Sequence, residues 1–483
     1  MSGADVVTLL PLMVIGAAAV TIMLQAAFYR HHLAAVVLTL LGLALSLASL
    51  LPASRYLPRP VTPLLVLDRF ALFYVGLILA ACIGVTLLSY GYLKIRTGEY
   101  EEFYALLLLA TLGAMVLVTS SHFVSFFLGL ELLSVSLYVL IAYVRTEGRP
   151  LEAGLKYLIL AAASSAFLLF GMALIYAQAG TLAFGGAASW VRAGTDAPSL
   201  YLMTGLALMI TGIGFKLAVV PFHMWTPDIY EGAPAPVTAF VATVSKGAMF
   251  AFALRFFNQT EGHGYRSLTL VFSLMAIASM FAGNLLALMQ DNVKRILAYS
   301  SIAHLGYLLV ALLAAGSLAV EAVTFYLVAY FVTTLGAFGI VAVLSGREGD
   351  ADAMADYRAL FWQRPGIACV FTAMLVSLAG IPLTAGFVGK FFIVTAGIGS
   401  ALWGLVLVLV LNSAIGMFYY LRIIVTMFSQ PSAGHLATTP APLPAYTHGG
   451  AMVLAVLMLL LIWLGVFPGF MLRMIQQTAQ SLL

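Results

Sequence analysis

The feature that most constrains this chain is a succession of long apolar runs. Fourteen runs follow one another, and each is long enough to cross a bilayer as a helix, which takes about 20 residues. Because backbone polar groups inside a bilayer must bond within their own segment, the runs predict an all-α integral membrane protein forming one polytopic domain, residues 1–483. They lie near residues 8–27, 33–52, 71–92, 103–119, 122–143, 155–179, 201–220, 235–257, 268–289, 295–316, 321–344, 366–397, 401–428 and 449–467.

The composition excludes several classes of protein. Only 8% of the residues are charged and 63% are hydrophobic, whereas about a quarter of the residues of a soluble domain are charged. Cys82 and Cys369 lie in apolar runs, without a C-x-x-C pair or a His/Cys cluster, so we expect no iron–sulfur or zinc site. No phosphate-binding glycine motif is present, and no segment is predicted to be a strand. The formal charge of +4 does not indicate a nucleic-acid partner.

The basic residues predict the orientation in the membrane. If both termini lie outside, the cytoplasmic turns hold the larger share of the 22 lysines and arginines, as the positive-inside rule requires. Arg255 then belongs to the smaller, outer group. The N-terminal stretch MSGADVVTLLPLMVIG has no basic region before its apolar residues, so we expect no cleaved signal peptide.

Four charged residues inside apolar runs are singled out as lying in hydrocarbon: Glu131, Lys216, Lys246 and Lys390. Each costs about 2.5–3.5 kcal/mol at the centre of a membrane helix, so such residues are usually retained for a function. One structural reading is a buried ion pair that holds helices together. Charges in four different runs exceed what a single pair explains, and a buried lysine whose partner moves can load and release a proton. The pattern therefore favours a proton relay.

Two of the runs are interrupted. The seventh reads TGIGFKLAVVPFHMW and contains Pro221, and the twelfth reads VSLAGIPLTAGFVGKFF and contains Gly380 and Pro382. Proline removes a backbone donor, so we expect these helices to kink or unwind. The breaks lie five runs apart, which predicts two five-helix units, residues 103–257 and 268–428. An odd number of helices inverts the second unit, and inverted repeats with broken helices are typical of transporters.

His304 lies in the middle of the tenth run, in SSIAHLGYLLVAL. A lone membrane histidine either bonds to a neighbour for structural reasons or carries protons at physiological pH. Ser300, Ser301 and Tyr307 are close enough in sequence to support a water chain beside it. His223, next to the break in the seventh run, is a weaker candidate.

Several stretches of the chain resemble a known family: FFLGLELLSVSLYVLIAY, LEAGLKYLILAAASSAFLLFGMALIYAQAG, GFKLAVVPFHMWTPDIYEGAPAPVTAF and DNVKRILAYSSIAHLGYLL. Together they are similar to the antiporter-like subunits of respiratory complex I, the proton-pumping NADH–quinone oxidoreductase, and the second is similar to subunit N in particular. The resemblance covers essentially the whole chain. It implies fourteen core helices, two inverted five-helix repeats and broken helices 7 and 12. Lys390 argues against subunit M, which has a glutamate there, and the short C-terminus argues against subunit L.

The resemblance also implies a function. Glu131, Lys216, Lys246 and Lys390 match the family's relay residues. A proton from the cytoplasmic side would reach Lys246, pass waters near His304 to Lys390 and leave outside, while a Glu131–Lys216 pair sets the proton affinity. Quinone reduction elsewhere in the complex would drive this transfer.

The same resemblance implies the setting of the chain. It would carry no cofactor itself, since NADH, flavin, iron–sulfur clusters and quinone belong to partner subunits. Its neighbours would be subunits K and M in a bacterial inner membrane, with both termini periplasmic. Two alternatives stay open: a subunit of a multi-subunit sodium/proton antiporter, and a non-pumping scaffold of a membrane arm.

Overall fold

The computed structural model describes residues 2–96, 98–144, 148–185, 200–260, 266–347, 349–430 and 448–482. Within these ranges, thirteen helices are long and apolar enough to cross a membrane. The prediction of an all-α, multi-pass membrane protein is therefore confirmed.

The helices are named here in chain order. They are α1 (Gly3–Phe28), α2 (His32–Ala53), α3 (Arg69–Lys94), α4 (Glu101–Thr119), α5 (Phe123–Ile141), α6 (Gly148–Ala179), α7 (Leu200–Leu217), α8 (Trp225–Gly232), α9 (Ala235–Phe240), α10 (Lys246–Gln259), α11 (Arg266–Leu288), α12 (Val293–Leu313), α13 (Ser317–Leu344), α14 (Leu360–Gln363), α15 (Pro365–Ala379), α16 (Ala385–Gly399), α17 (Trp403–Phe428), α18 (His448–Val466) and α19 (Gly469–Gln480).

One small sheet departs from the prediction that no segment forms a strand. Strands β1 (Arg59–Thr62) and β2 (Leu65–Leu67) pair antiparallel between α2 and α3, with Pro60 opposite Val66. The prediction was wrong because strands of three or four residues are too short to show a clear alternation of apolar and polar residues. Proline at a position of this kind is tolerated only in an edge strand, and a two-stranded sheet consists of edges alone.

The seventh run is interrupted where Pro221 lies. Helix α7 ends at Leu217 and the next helix, α8, begins at Trp225. The backbone groups released by this interruption find other partners: the Val220 N–H donates to Ser279 Oγ at 2.9 Å, and Trp225 Nε1 donates to the Phe215 carbonyl at 2.9 Å. Non-helical backbone at this depth is thus held within protein, as a membrane interior requires.

The twelfth run contains two shorter helices rather than one span. Helix α15 ends at Ala379, and Gly380 adopts a φ of +85°, which glycine tolerates because it has no Cβ. Thr384 then caps the N-terminus of α16 by accepting a hydrogen bond from the Phe387 N–H at 3.4 Å. The turn between the two helices directs the last carbonyls of α15 toward α16.

The centre of the bundle is formed by α9–α10, α12 and α13. A π-helical turn, Val241–Ser245, joins α9 and α10 into one span. All residues of its most apolar stretch of 18 are buried. The corresponding share of buried residues is 94% in α12 and α13, whereas it is 33% in α1. These central helices can therefore hold polar side chains away from lipid. The inverted relation between residues 103–257 and 268–428 stays a prediction.

Candidate functional site

Glu131 and Lys216 lie in one polar cluster but do not form the expected direct ion pair. Lys216 Nζ donates to Ser134 Oγ at 2.6 Å, and Ser134 lies one turn beyond Glu131 on α5. The Glu131 carboxylate instead accepts from Ser165 Oγ at 2.5 Å and is only partly buried. No ion pair joins the two charges within the described residues, although the carboxylate lies within Coulombic range of the lysine. Ser134 and Ser165 are the direct hydrogen-bond partners of the two charges, and the action of Glu131 on Lys216 as a pair stays a prediction.

Lys246 lies at the centre of the protein, with 1% of its surface exposed. It follows the π-helical turn, and its ammonium donates to Ser301 Oγ on α12 at 2.8 Å. Ser301 Oγ in turn contacts the Tyr330 hydroxyl on α13 at 2.7 Å. The ammonium also lies 5.0 Å from the Tyr230 ring centre and 5.9 Å from that of Trp225, within the range of cation–π attraction.

Aromatic rings occupy the space between Lys216 and Lys246. Tyr157 lies 5.4 Å from the Lys216 ammonium, and its ring centre is 5.1 Å from that of Trp225. Trp225 also packs on Phe215 at 5.4 Å. Tyr157, Phe215 and Trp225, from α6, α7 and α8, therefore form an aromatic wall between the two lysines. No hydrogen bond among the described residues connects the two lysines directly.

His304 is connected on both sides of its ring. Nδ1 lies 2.6 Å from the Tyr326 hydroxyl, and Nε2 lies 3.1 Å from the Tyr420 hydroxyl. Tyr420 is also hydrogen-bonded to Ser300. Because each imidazole nitrogen faces a hydroxyl that both donates and accepts, the ring can exchange its donor and acceptor sides.

Lys390 lies on α16, next to the turn that separates α15 from α16. Its ammonium donates to the Leu378 and Ala379 carbonyls at 3.0 and 2.8 Å and to Ser413 Oγ at 2.8 Å. The two carbonyls end α15, where the helix dipole favours a cation. The interruption of the twelfth run thus creates the binding place of the lysine.

The structure connects His304 and Lys390 through one ring. Tyr307 lies 5.2 Å from the Lys390 ammonium and 5.4 Å from the His304 ring centre. Its hydroxyl accepts from Asn284 Nδ2 at 3.1 Å. The Tyr330 ring, whose centre lies 5.7 Å from that of His304, brings the Ser301 contact of Lys246 into the same polar region. Glu131 and Lys216 form a second region on the other side of the aromatic wall.

Sequence reasoning missed the hydroxyls that bond to the charges. Ser134, Ser413, Tyr326 and Tyr330 are frequent residue types, and a single sequence gives no sign of which of them face a lysine. Tyr326 and Tyr330 are separated by four residues on α13, which places them on one helical face. That spacing is the one signal that could have indicated a shared polar stripe.

Buried ion pairs also lie outside this series, among them those of Arg255 and Lys294. Arg255 binds both Asp68 carboxylate oxygens, at 2.7 and 2.8 Å, and Asp68 compensates its buried charge. The assignment of Arg255 to the outer side of the membrane stays a prediction. Lys294 contacts Asp350 at 2.7 Å. Burial raises the pKa of Asp350, but the Lys294 ammonium more than offsets this and holds it below its usual value.

No group of three or more His, Cys, Asp or Glu side chains that could hold a metal occurs in the described part of the chain. His223 is buried at the break before α8, and neither of its ring nitrogens has a hydrogen-bond partner among the described residues.

This fold and its three buried lysines define a class of polytopic, all-α membrane proteins that hold charged residues inside the helix bundle. A family model described as "NADH:quinone oxidoreductase/Mrp antiporter, TM" matches residues 120–416. The chain belongs to this family of NADH:quinone oxidoreductase and Mrp antiporter membrane proteins.

Its relatives include proteins named NADH-quinone oxidoreductase subunit N. That of Ectopseudomonas mendocina (strain ymp) is 49% identical over 482 residues, covering 98% of this chain and 96% of the relative. That of Nitrosospira multiformis is 54% identical over 479 residues, covering 96% and 94%. The resemblance to subunit N that the sequence indicated is therefore confirmed.

Solved structures show the same fold. A chain of respiratory complex I from Thermus thermophilus with bound aureothin is 32% identical, with a TM-score of 0.80, covering 96% of this chain and 98% of that one. A chain of the Mrp complex from Dietzia sp. DQ12-45-1b has a TM-score of 0.86 at 19% identity, covering 100% and 98%. The second likeness concerns the fold alone.

Proposed function

We propose that the chain is a proton-translocating membrane subunit of an NADH–quinone oxidoreductase, and hence part of a redox-driven translocase. The observation that supports this proposal most directly is that its three buried lysines have no carboxylate partner in the described part of the chain. Lys216, Lys246 and Lys390 are only 6%, 1% and 7% exposed, and none forms an ion pair with a carboxylate among the described residues. Hydroxyls and carbonyls hold them instead. A lysine desolvated in this way can exist as a neutral amine and so can both accept and release a proton.

The proposed route begins at Lys246, which takes up a proton from the cytoplasmic side. The proton passes through Ser301 and Tyr330 toward His304, whose ring exchanges it between hydroxyl partners. It continues past Tyr307 to Lys390 and leaves on the outer side. Glu131 and Lys216 act beside this route, where the carboxylate changes the free energy of charging the lysine.

The names of the relatives support the assignment to an oxidoreductase complex. We place NADH, flavin, iron–sulfur clusters and quinone in partner subunits, and subunits K and M beside this chain. The proposed location is a bacterial inner membrane with both termini periplasmic. Cross-linking of the purified complex, followed by identification of the linked subunits, tests this placement.

The variant Lys246→Ala tests the function. In an assembled complex we expect NADH-driven proton pumping and quinone reduction to fall together, since a blocked proton step stops the coupled electron transfer. Lys94→Ala is the matched control, because Lys94 is exposed at the end of α3. Normal pumping by a fully assembled Lys246→Ala complex contradicts the proposal.

The family description also covers Mrp antiporters, which keeps a sodium/proton antiporter subunit as a second candidate. That function predicts sodium-dependent proton flux in vesicles without NADH. A third possibility, a passive scaffold, predicts that Glu131, Lys216, Lys246 and Lys390 can be neutralised without loss of pumping.

A further inference from the structure

A buried asparagine is bonded to the tyrosine that lies between His304 and Lys390. Asn284, on α11, is fully buried, and its amide nitrogen donates to the Tyr307 hydroxyl on α12 at 3.1 Å. The Asn284 carbonyl oxygen accepts from the Tyr419 hydroxyl on α17 at 3.0 Å. One amide therefore joins three helices at the point where the proposed proton route passes Tyr307.

Two backbone carbonyls fix which end of the amide faces Tyr307. The Asn284 nitrogen lies 3.0 Å from the Met280 carbonyl oxygen, one turn earlier on α11. Because a carbonyl oxygen can only accept a hydrogen bond, the amide atom that faces it must be the nitrogen. Asn412 is oriented in the same way by the Val408 carbonyl at 3.0 Å, so its oxygen faces the Asn284 nitrogen at 3.3 Å. Tyr307 is therefore presented with an N–H donor.

Close packing of α11 against α12 holds this contact in place. Gly283 precedes Asn284, and Gly306 precedes Tyr307. An added Cβ at these glycines would lie 2.6 and 3.0 Å from backbone atoms of the facing helix. Since the two backbones touch at these points, the amide and the hydroxyl are held at a fixed separation.

We propose that Asn284 is a positioning residue, which turns the Tyr307 hydroxyl proton away from α11 and toward the side where Lys390 lies. An N–H group that faces a hydroxyl oxygen makes that oxygen an acceptor, so the hydroxyl proton must point elsewhere. Among the described residues, the Tyr307 hydroxyl makes no other hydrogen bond. The Lys390 ammonium lies 5.2 Å from the Tyr307 ring centre. The hydroxyl proton is therefore available for transfer.

Tyr307 stays neutral in the step that this orientation favours. Its hydroxyl proton passes by way of water to the neutral Lys390 amine, which becomes an ammonium. The Tyr307 oxygen takes up a proton that the His304 imidazolium gives through water, and the imidazole becomes neutral. This inference rests on the proposed function, because it concerns the transfer between His304 and Lys390.

The variant Asn284→Leu tests the inference, since it removes the amide and keeps the size of the side chain. In assembled complexes we expect NADH-driven proton pumping to fall about tenfold, the effect of one lost hydrogen bond on a rate-limiting step. The solvent deuterium isotope effect on turnover should rise, because transfer from Tyr307 becomes limiting. Thr39→Val is the control: Thr39 is equally buried, and its hydroxyl donates to the Ala35 carbonyl on α2 at 2.7 Å.

A double variant distinguishes positioning from packing. If Asn284 acts through the Tyr307 hydroxyl, adding Asn284→Leu to Tyr307→Phe should lower pumping no further than Tyr307→Phe alone. A purely structural role predicts that the two effects add. Gly416→Ala disturbs the amide without removing it, because an added Cβ would lie 3.0 Å from Asn284 Oδ1 and 3.3 Å from the Tyr419 hydroxyl. We expect it to lower pumping about threefold and to raise the isotope effect.

Normal pumping by an assembled Asn284→Leu complex, or full additivity in the double variant, overturns the inference. If Lys246→Ala is inactive in the same assay, the proposed function is left intact. Normal pumping in Lys246→Ala removes the proposed function itself. If Asn284→Leu prevents assembly, Gly416→Ala carries the test: normal pumping with an unchanged isotope effect contradicts a role for the position of the amide.

Discussion

Replacing Gly380 by alanine should disable Lys390 without removing any charge. Gly380 has a φ of +85°, and an added Cβ would lie 2.8 Å from Lys390 Cδ and 3.0 Å from Nζ. These distances are shorter than van der Waals contact. Since the lysine side chain is flexible, we expect it to move rather than the backbone, and the displaced part is the ammonium itself.

The structure sets the size of the effect. The ammonium has three acceptors, at 3.0, 2.8 and 2.8 Å. Loss of one hydrogen bond to a charged group is worth about 1.5–3 kcal/mol, which lowers the population of the correctly placed ammonium roughly ten- to hundredfold. The alanine at positive φ adds about 1–2 kcal/mol of backbone strain. The first contribution acts on function and the second on stability.

The assay is NADH-driven proton pumping by complexes of verified assembly. Gly380→Ala should reduce it at least about tenfold, in line with the shift in population. Gly399→Ala is the control, because Gly399 lies on the same helix as Lys390 and an added Cβ there meets nothing within 4 Å. Combining Gly380→Ala with Lys390→Met should be no worse than Lys390→Met alone, since both act through one ammonium.

Two results refute this reasoning. Wild-type pumping by an assembled Gly380→Ala complex shows that the placement of the ammonium does not limit transfer. Effects that add fully in the double variant show that Gly380→Ala acts elsewhere than through Lys390.

Three further predictions concern the other charges. Glu131→Gln should be milder than Lys216→Ala, and their coupling in a double-mutant cycle of pumping rates should lie above zero but below the roughly 4 kcal/mol of a direct pair at 4 Å; independence of the two contradicts the polar cluster. Lys390→Arg should be as damaging to pumping as Lys390→Met, because arginine stays protonated; near-normal pumping with arginine makes the residue a fixed charge. Asp68→Asn should lower the free energy of unfolding by about 3–5 kcal/mol, because it leaves Arg255 buried without a compensating charge, and adding Arg255→Met should restore part of that loss. Thermal denaturation of the purified complex measures this, and an unchanged melting temperature of Asp68→Asn argues that the pair is not structural.

The fold was predictable in its main elements because the membrane permits few alternatives. A run such as 321–344 must be a helix, and the structure places α13 at Ser317–Leu344. The breaks near Pro221 and Gly380 were expected from proline and glycine alone, and separate helices follow each of them. The hairpin of β1 and β2 was not predictable, because its strands are shorter than the periodicity needed to recognise them.

The candidate site was predictable in its charges but not in its contacts. Lys216, Lys246 and Lys390 stood out because charge is rare in apolar sequence. The position of Glu131 was recognised, but its partner was not, since the carboxylate bonds to Ser165 rather than to Lys216. Partners that are serines and tyrosines are too common to be singled out.

By itself, the sequence determined that the chain is a multi-pass helical membrane protein, which of its apolar runs contain proline and glycine, and which residues carry charge there, because hydrocarbon penalises unsatisfied backbone and isolated charge wherever they occur along the chain. Only the tertiary structure decided which hydroxyl faces each ammonium, that an aromatic wall separates Lys216 from Lys246, and that α15 presents its last carbonyls to Lys390. These contacts depend on helix rotation and packing between segments far apart in sequence. A hydrogen bond of about 3 Å is lost when a helix shifts or rotates by less than the width of a side chain. Hydropathy and residue spacing do not specify helix positions that accurately.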